Sequence, residues 1–355
     1  MKKIYINSIK QISAQHPLTE DWFEHPVFYS EPYVRAIEPD YKQFFPPNEA
    51  RRLGKILKRA LLVSRQALTE SGVSLPDAII TGTGLGCIES TEIFLDKLVR
   101  DGEEFLNPTH FMQSTHNTIG SLIAIDTKCH AYNNTYAHKG ISFECALQDA
   151  FLQLSCKEKA HPVSTALVGA HDEMTPAYFN LLKKAGYLGK PNTFAGENAV
   201  AMILTTEKSE KTLCKIETVE KIYTGGMKLE NTTEWKKNMG LERIGEVDYM
   251  MIGVNGNPEN DEIYLENCAK LFPNIPLLKY KNIFGESYTT SALGIYAAAT
   301  CLKKEKIPNF LMYEKKTENT DSLNPYSLKE PLVAEKILCY NHFEGKNHTF
   351  VLLSK

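Results

Sequence analysis

The sequence has no CxxC pair and no Cys/His spacing of the zinc-site kind. Its eight cysteines (87, 129, 145, 156, 214, 268, 301 and 339) stand singly along 355 residues. That scatter excludes a disulfide-stapled scaffold and predicts reduced, mostly buried thiols in a cytoplasmic protein that holds no metal. An excess of one charge is missing too. Forty Lys and Arg oppose 43 Asp and Glu, for a net −3, and no basic cluster stands out. The chain therefore offers nothing specific to nucleic acid or to an anionic membrane surface. Long apolar runs are absent. MKKIYINSIKQIS at the start has two Lys but no apolar stretch behind them. A secretory signal needs about 7–15 such residues and a membrane span about 20.

What is present is ordinary for a globular chain: 43% hydrophobic and 23% charged residues. Residues 47–72 carry Leu53, Ile56, Leu57, Ala60 and Leu61 at helical spacing, with basic residues on the other face and Gly72 as a C-cap. An apolar strand then runs into a glycine turn in DAIITGTGLG (77–86), and a helix restarts behind Ser90 with Glu89 and Glu92 near its positive end. A second helix lies in NTIGSLIAIDT. Residues 133–137 read as extended and 140–156 as helical. STALVGAHD (164–172) and NAVAMILTTEK (198–208) read as strands around the helix PAYFNLLKKAGYL. Beyond these, CKIETVEKIY, YMMIGVNG, AEKILCYNHF and NHTFVLLS fit strands, and DEIYLENCAKLF and SYTTSALGIYAAATCLKKE fit helices. This alternation predicts α/β layers. No low-complexity segment divides the chain, so a pseudo-repeat boundary is expected near 205–215 inside one compact unit.

TGTGLG after a strand invites a dinucleotide-binding reading, which wants GxGxxG and an acidic residue about 20 positions on. The glycines are Gly82, Gly84 and Gly86, so the third falls one position early. A tight structural turn is the expectation.

From residue 77 to 208 the order of motifs resembles the β-ketoacyl-ACP synthases, the condensing enzymes. The pieces are GTGLGCIESTEIFL, NPTHFMQSTHNTIGSLIAI, STALVGAHDEMTP and FAGENAVAMILTTE. KNIFGESYTTSALGIYAAAT and CYNHFEGKNHTFVLL continue the match. PDYKQFFPPNEARRLGKI is similar to the short relatives of aryl-polyene and flexirubin-type pathways. The resemblance implies a thiolase-like fold: two pseudo-repeated halves, 1–208 and 209–355, in α-β-α-β-α layers. It implies an acyltransferase family (3-oxoacyl-ACP synthase) that uses a Cys at a helix N-terminus, two His and no cofactor. The Cys takes the acyl chain as a thioester, and the His pair assists decarboxylation and stabilises the enolate.

Counting without a gap from Ile123-Ala124-Ile125 through Asn133 and Thr135, the family's nucleophile position falls on Gly140. Ala146, Leu147 and Ala150 keep the register. The first His, due after YMMIGV, is met by Asn255, in a segment that runs to Asp261 without the family's threonine pair. The second belongs to Lys-x-x-x-Gly-His. Lys281 and Gly285 are kept there, and Glu286 stands at the His. The glycine-rich gate carrying a Phe is reduced to NHFEGKN around Phe343. Asn255 cannot act as a titrating acid near neutral pH. An ionised Glu286 repels an enolate and is expected to pair with Lys281.

Several residues are candidate rescuers. Cys145, five positions past Gly140, reads as a buried thiol or an alternative nucleophile. Cys129 has His130 beside it, but neighbours on an extended chain point apart. His138, Lys281 and Phe343 are candidate pocket-lining residues, and His116 reads as a loop or interface residue. Asp172 and Glu173 suggest paired carboxylates but match a structural segment of the family.

The resemblance thus implies a chain-length-factor-like subunit, inactive alone. It would pair with an active condensing enzyme and an acyl carrier protein in fatty-acid or polyketide biosynthesis, or form a homodimer in isolation. Two alternatives stay open: an acyltransferase or decarboxylase with a non-standard nucleophile, and a stand-alone acyl-chain or acyl-carrier binding protein.

Overall fold

A computed structural model describes residues 2–104, 106–156, 162–188, 194–230, 232–314 and 333–355. The N-terminal part runs β1 (Ile4–Ile12), α1 (Pro47–Ala50), α2 (Lys55–Ser71), β2 (Ala78–Gly82), α3 (Ile88–Asp101), α4 (Pro108–Gln113) and α5 (Thr118–Thr127). It continues with β3 (Tyr132–Tyr136), α6 (Ser142–Ser155), β4 (Thr165–Asp172), α7 (Pro176–Lys184) and β5 (Asn198–Thr205). The C-terminal part runs β6 (Cys214–Tyr223), α8 (Thr233–Asn238), β7 (Tyr249–Ile252), α9 (Pro258–Leu271) and β8 (Leu277–Lys279). α10 (Lys281–Phe284), α11 (Ser291–Lys304), β9 (Lys336–Phe343) and β10 (Asn347–Ser354) complete it.

The described strands form one sheet in the order β3-β2-β4-β5-β1-β6-β10-β9-β7-β8. Its two halves repeat each other. In each, the middle strand of a parallel trio (β2, then β7) lies between an edge strand and a strand (β4, then β9) that turns antiparallel to its neighbour. β1 and β6 join the halves antiparallel, with Ile4 opposite Ile216 and Ile6 opposite Cys214.

Side chains alternate between the faces of a strand, and each strand here feeds two cores. Ala78 and Ile80 enter a central core while Ile79 enters an outer one. Met251 likewise points inward, and Met250 and Ile252 outward. The central core lies around α6 and α11, sandwiched between the two halves of the sheet. α2 and α5 cover the outside of the first half, and α9 covers the outside of the second. These are the α-β-α-β-α layers the resemblance implies. Every residue of α11 from Ser291 to Leu302 is buried, so its sequence is apolar or small on all sides.

Two sequence expectations change, and two features have no counterpart in the sequence reading. The helix read over 47–72 is two helices, α1 and α2, broken at residues 51–54; Gly72 does end α2 in the left-handed region at φ 78°. Its basic face is not wholly solvated. Arg59 is 1% exposed and bonds Glu197 Oε2 at 2.9 Å and Glu38 Oε1 at 2.5 Å. α3 starts at Ile88, so Ser90 lies inside the helix instead of before it. Finally, residues 4–12 are a strand at the middle of the sheet. Asn7, Ser8 and Gln11 are buried there on hydrogen bonds of their own, which lowers the segment's hydropathy and hides it.

Candidate functional site

The glycine turn shapes one wall of the site. After β2, the Gly84 and Leu85 backbone N–H groups each donate to Asp172 Oδ1 at 2.9 Å, and the Thr83 hydroxyl donates to it at 3.1 Å. Its donors are thus turned on a carboxylate of the chain itself. A Cβ at Gly84 would lie 2.3 Å from Tyr288 Cβ, so only glycine lets that ring close over the turn.

From β3 the chain enters a 3-10 turn, Lys139–Ile141, and then α6. The Ser142 hydroxyl holds the turn: it accepts from the His138 N–H and donates to the Lys139 carbonyl, both at 2.8 Å. Gly140 sits in this turn at the start of a buried helix, where an anionic side chain would be favoured. The position is already filled. A Cβ on Gly140 would lie 2.4 Å from Phe343 Cδ2 and 3.1 Å from Cγ. The last residue of β9 thus lays its ring where a side chain would stand. Tyr288 meets the same ring edge-on, with centroids 6.2 Å apart.

The other two positions converge on one carboxylate. Glu286 Oε2 accepts from Asn255 Nδ2 at 2.6 Å and pairs with Lys281 Nζ at 2.7 Å. The Lys281 and Glu286 side chains are 9% and 19% exposed. Asp261 receives the Asn255 and Gly256 N–H groups at 2.8 and 2.9 Å, and Asn260 Nδ2 donates to Asn255 Oδ1 at 3.2 Å. The cluster uses its charge on itself.

Between the two regions runs a buried chain that the sequence reading missed. Asn341 Nδ2 donates to the Gly140 carbonyl at 3.0 Å and to Glu144 Oε1 at 2.6 Å. The Tyr264 hydroxyl donates to Asn341 Oδ1 at 2.8 Å, and its oxygen accepts from the His342 N–H at 3.3 Å. His342 Nε2 then reaches the Asn260 carbonyl at 3.1 Å. Burial pushes the Glu144 carboxyl up to about 7, against lowering contributions from the nearby Ser291 and Asn341. Burial also pushes the His342 imidazole down to about 3. The signal for this chain was a charged residue in an apolar helix, FECAL, and polar residues closing an apolar strand.

The remaining candidates have partners or surroundings of their own. Cys145 is 3% exposed, with its Sγ 3.3 Å from Lys221 Nζ. Burial raises its thiol pKa although Lys221 opposes the shift, so it is a poor nucleophile. Cys129 is buried with its thiol on the Pro76 carbonyl at 3.3 Å, while His130 is exposed. His138 and His116 are exposed too. Asp172 serves the glycine turn and Glu173 accepts the Glu89 N–H at 3.0 Å, so the two carboxylates have separate partners. Burial holds them up at about 6 and about 7. All eight cysteines are free. Among the described residues no helix is long and apolar enough to cross a membrane.

The sequence model of one family, described as beta-ketoacyl synthase, N-terminal domain, matches residues 21–244. No curated protein matches by sequence. Among the solved structures that share the fold are the following three. The ishigamide ketosynthase/chain length factor is 14% identical with a TM-score of 0.76, covering 100% of this chain and 99% of that one. A beta-ketoacyl synthase from Burkholderia phymatum STM815 is 14% identical, TM-score 0.74, with full coverage of both chains. The ketosynthase ApeO in complex with its chain length factor ApeC, from Xenorhabdus doucetiae, is 15% identical, TM-score 0.72, covering 99% and 98%.

Proposed function

The chain belongs to the β-ketoacyl synthase family, and we propose that it works there as a non-catalytic partner subunit of the chain-length-factor kind. One observation carries this reading: the Phe343 ring occupies the space that a side chain on Gly140 would need. The position that takes the acyl group in the family then offers no thiol, and a side chain there would have to displace the Phe343 ring. The Lys281–Glu286–Asn255 cluster supports the same reading, because a paired carboxylate neither donates a proton to an enolate nor stabilises it.

Two such subunits together condense nothing, so the partner is an active synthase that supplies Cys and His and receives its substrate on an acyl carrier protein. The halves 1–208 and 209–355 act as one unit, in the cytoplasm, within fatty-acid or polyketide biosynthesis of the aryl-polyene-like kind. The complex of the ketosynthase ApeO with its chain length factor ApeC favours this pairing.

The test is co-expression with condensing enzymes of the same cell, followed by pull-down and mass analysis. A one-to-one heterodimer that condenses malonyl units, when neither chain does alone, is the expected result. Condensation by this chain alone, or acylation of Cys145 or Cys129 seen by intact mass, would make it an enzyme with a non-standard nucleophile. A persistent homodimer that binds acyl-carrier protein with every synthase absent would make it a stand-alone binding protein.

A further inference from the structure

Lys221, on β6, reaches from the second half of the molecule to α6 in the first, where its Nζ donates to the Cys145 Sγ at 3.3 Å. Two features set this contact apart. Among the described residues no carboxylate pairs with the Lys221 ammonium, so its polar partner is a thiol. The two residues also differ in exposure: Lys221 is exposed, whereas Cys145 is 3% exposed. The pair stands at the rim of the core.

Burial holds the thiol protonated against the opposing pull of Lys221, so its sulfur is a slow nucleophile. Its oxidised form is a different case. In a sulfenic acid the sulfur is the electrophile, and a thiol or a nitrogen within reach condenses with it. Cys145 is in no disulfide. The group already in contact with it is an amine on a flexible four-carbon stem.

We propose that Cys145 and Lys221 are a redox-sensitive modification site, at which hydrogen peroxide or a like two-electron oxidant joins Sγ to Nζ as a sulfenamide. In the first step the thiol sulfur gives an electron pair to peroxide. The O–O bond breaks, S–H becomes S–OH, and one water leaves. In the second step the lysine, having released a proton to solvent, attacks the sulfur as a neutral amine. The S–N bond forms, the S–O bond breaks, and the leaving hydroxide takes a proton from the nitrogen to depart as water. The protein loses two hydrogens in all, and the peroxide ends as two waters.

The bridge has a structural consequence. It joins residues 76 apart in the chain, and a covalent closure of that length restricts the unfolded chain far more than the folded one. α6 follows the Gly140 turn directly, so the bridge anchors that turn to the second half. The inference needs no partner subunit and stands apart from the reading of the chain as one.

Peptide mass spectrometry of the full chain tests this, in a Cys156→Ser background that removes the one thiol that is not buried. After treatment of the folded protein with hydrogen peroxide, the expected product is a peptide pair joined through Cys145 and Lys221. It should be lighter by two hydrogens than the sum of its parts, and dithiothreitol should separate it again. The thermal midpoint should rise with the bridge and return on reduction. Lys221→Met keeps the stem without the amine and should send Cys145 on to the sulfinic and sulfonic acids. Three results would each overturn the proposal: an unmodified Cys145, a sulfinic acid at Cys145 with no cross-link while Lys221 is present, or a bridge that keeps an oxygen between sulfur and nitrogen.

Discussion

At Gly140 the site is closed by shape, with the Phe343 ring standing where a side chain would be. At Asn255 and Glu286 it is closed by charge, with one carboxylate shared between an ammonium and an amide. The two closures differ in how they fail. A steric closure opens when either surface is trimmed, and its cost is local. An electrostatic closure that loses one member leaves the other ion desolvated and unpaired, which costs more than the pair contributes.

The largest effect is therefore expected at the charged region. Glu286→Ala leaves Lys281 without its carboxylate in a mostly buried place and should cost about 2–4 kcal/mol in denaturant unfolding. The double variant Glu286→Leu with Lys281→Met removes both charges and should recover most of that. If the double variant is as unstable as the single one, charge is not what closes this region.

Next comes the steric region. Gly140→Cys forces a contact that real Cβ atoms essentially never make, and should cost about 1–3 kcal/mol. In a Phe343→Ala background the same substitution should cost under about 0.5 kcal/mol, so a double-mutant cycle should show strong coupling. Additive costs would place the ring elsewhere in solution.

The buried chain between the regions gives a pH signature. Glu144 has a folded pKa of about 7 against an ordinary value of 4.5. The native state thus holds its proton more tightly than the unfolded chain, and this group withdraws stability as pH rises from about 5 to 7. His342, at about 3 against 6.5, acts in the opposite sense and withdraws stability as pH falls below about 6.5. Glu144→Gln keeps the shape and removes the first effect. It should be more stabilising, or less destabilising, at pH 7.5 than at pH 5.5 by about 1–3 kcal/mol. A pH-independent difference would refute the assignment.

The smallest effect concerns thiols. Under native conditions an alkylating reagent should modify Cys156 first, because it alone of the eight is not buried. Rapid loss of Cys145 would make the site less closed than its geometry indicates.

Parts of this comparison were legible before any coordinates. A register count on the family resemblance pointed to Gly140 as the nucleophile position, and the expected pairing of Glu286 with Lys281 is present. Neither needed knowledge of distant neighbours. The position of Phe343 over Gly140 did, because the two are about 200 residues apart and meet only when β9 lies beside α6. Arg59 shows the same limit. Its place on a helix with a basic face gave no sign of burial, and Glu38 together with Glu197, just before β5, makes that burial tolerable.

The sequence by itself determined the alternation of strands and helices, the helix that is α11 and the residue types at Gly140, Asn255 and Glu286. These depend on local periodicity and on residue identity. Tertiary structure alone decided that residues 4–12 form the central strand and that Asn341 bridges Gly140 and Glu144. Such contacts join segments remote in the chain, and hydrogen bonding between polar groups leaves no period for a sequence to display.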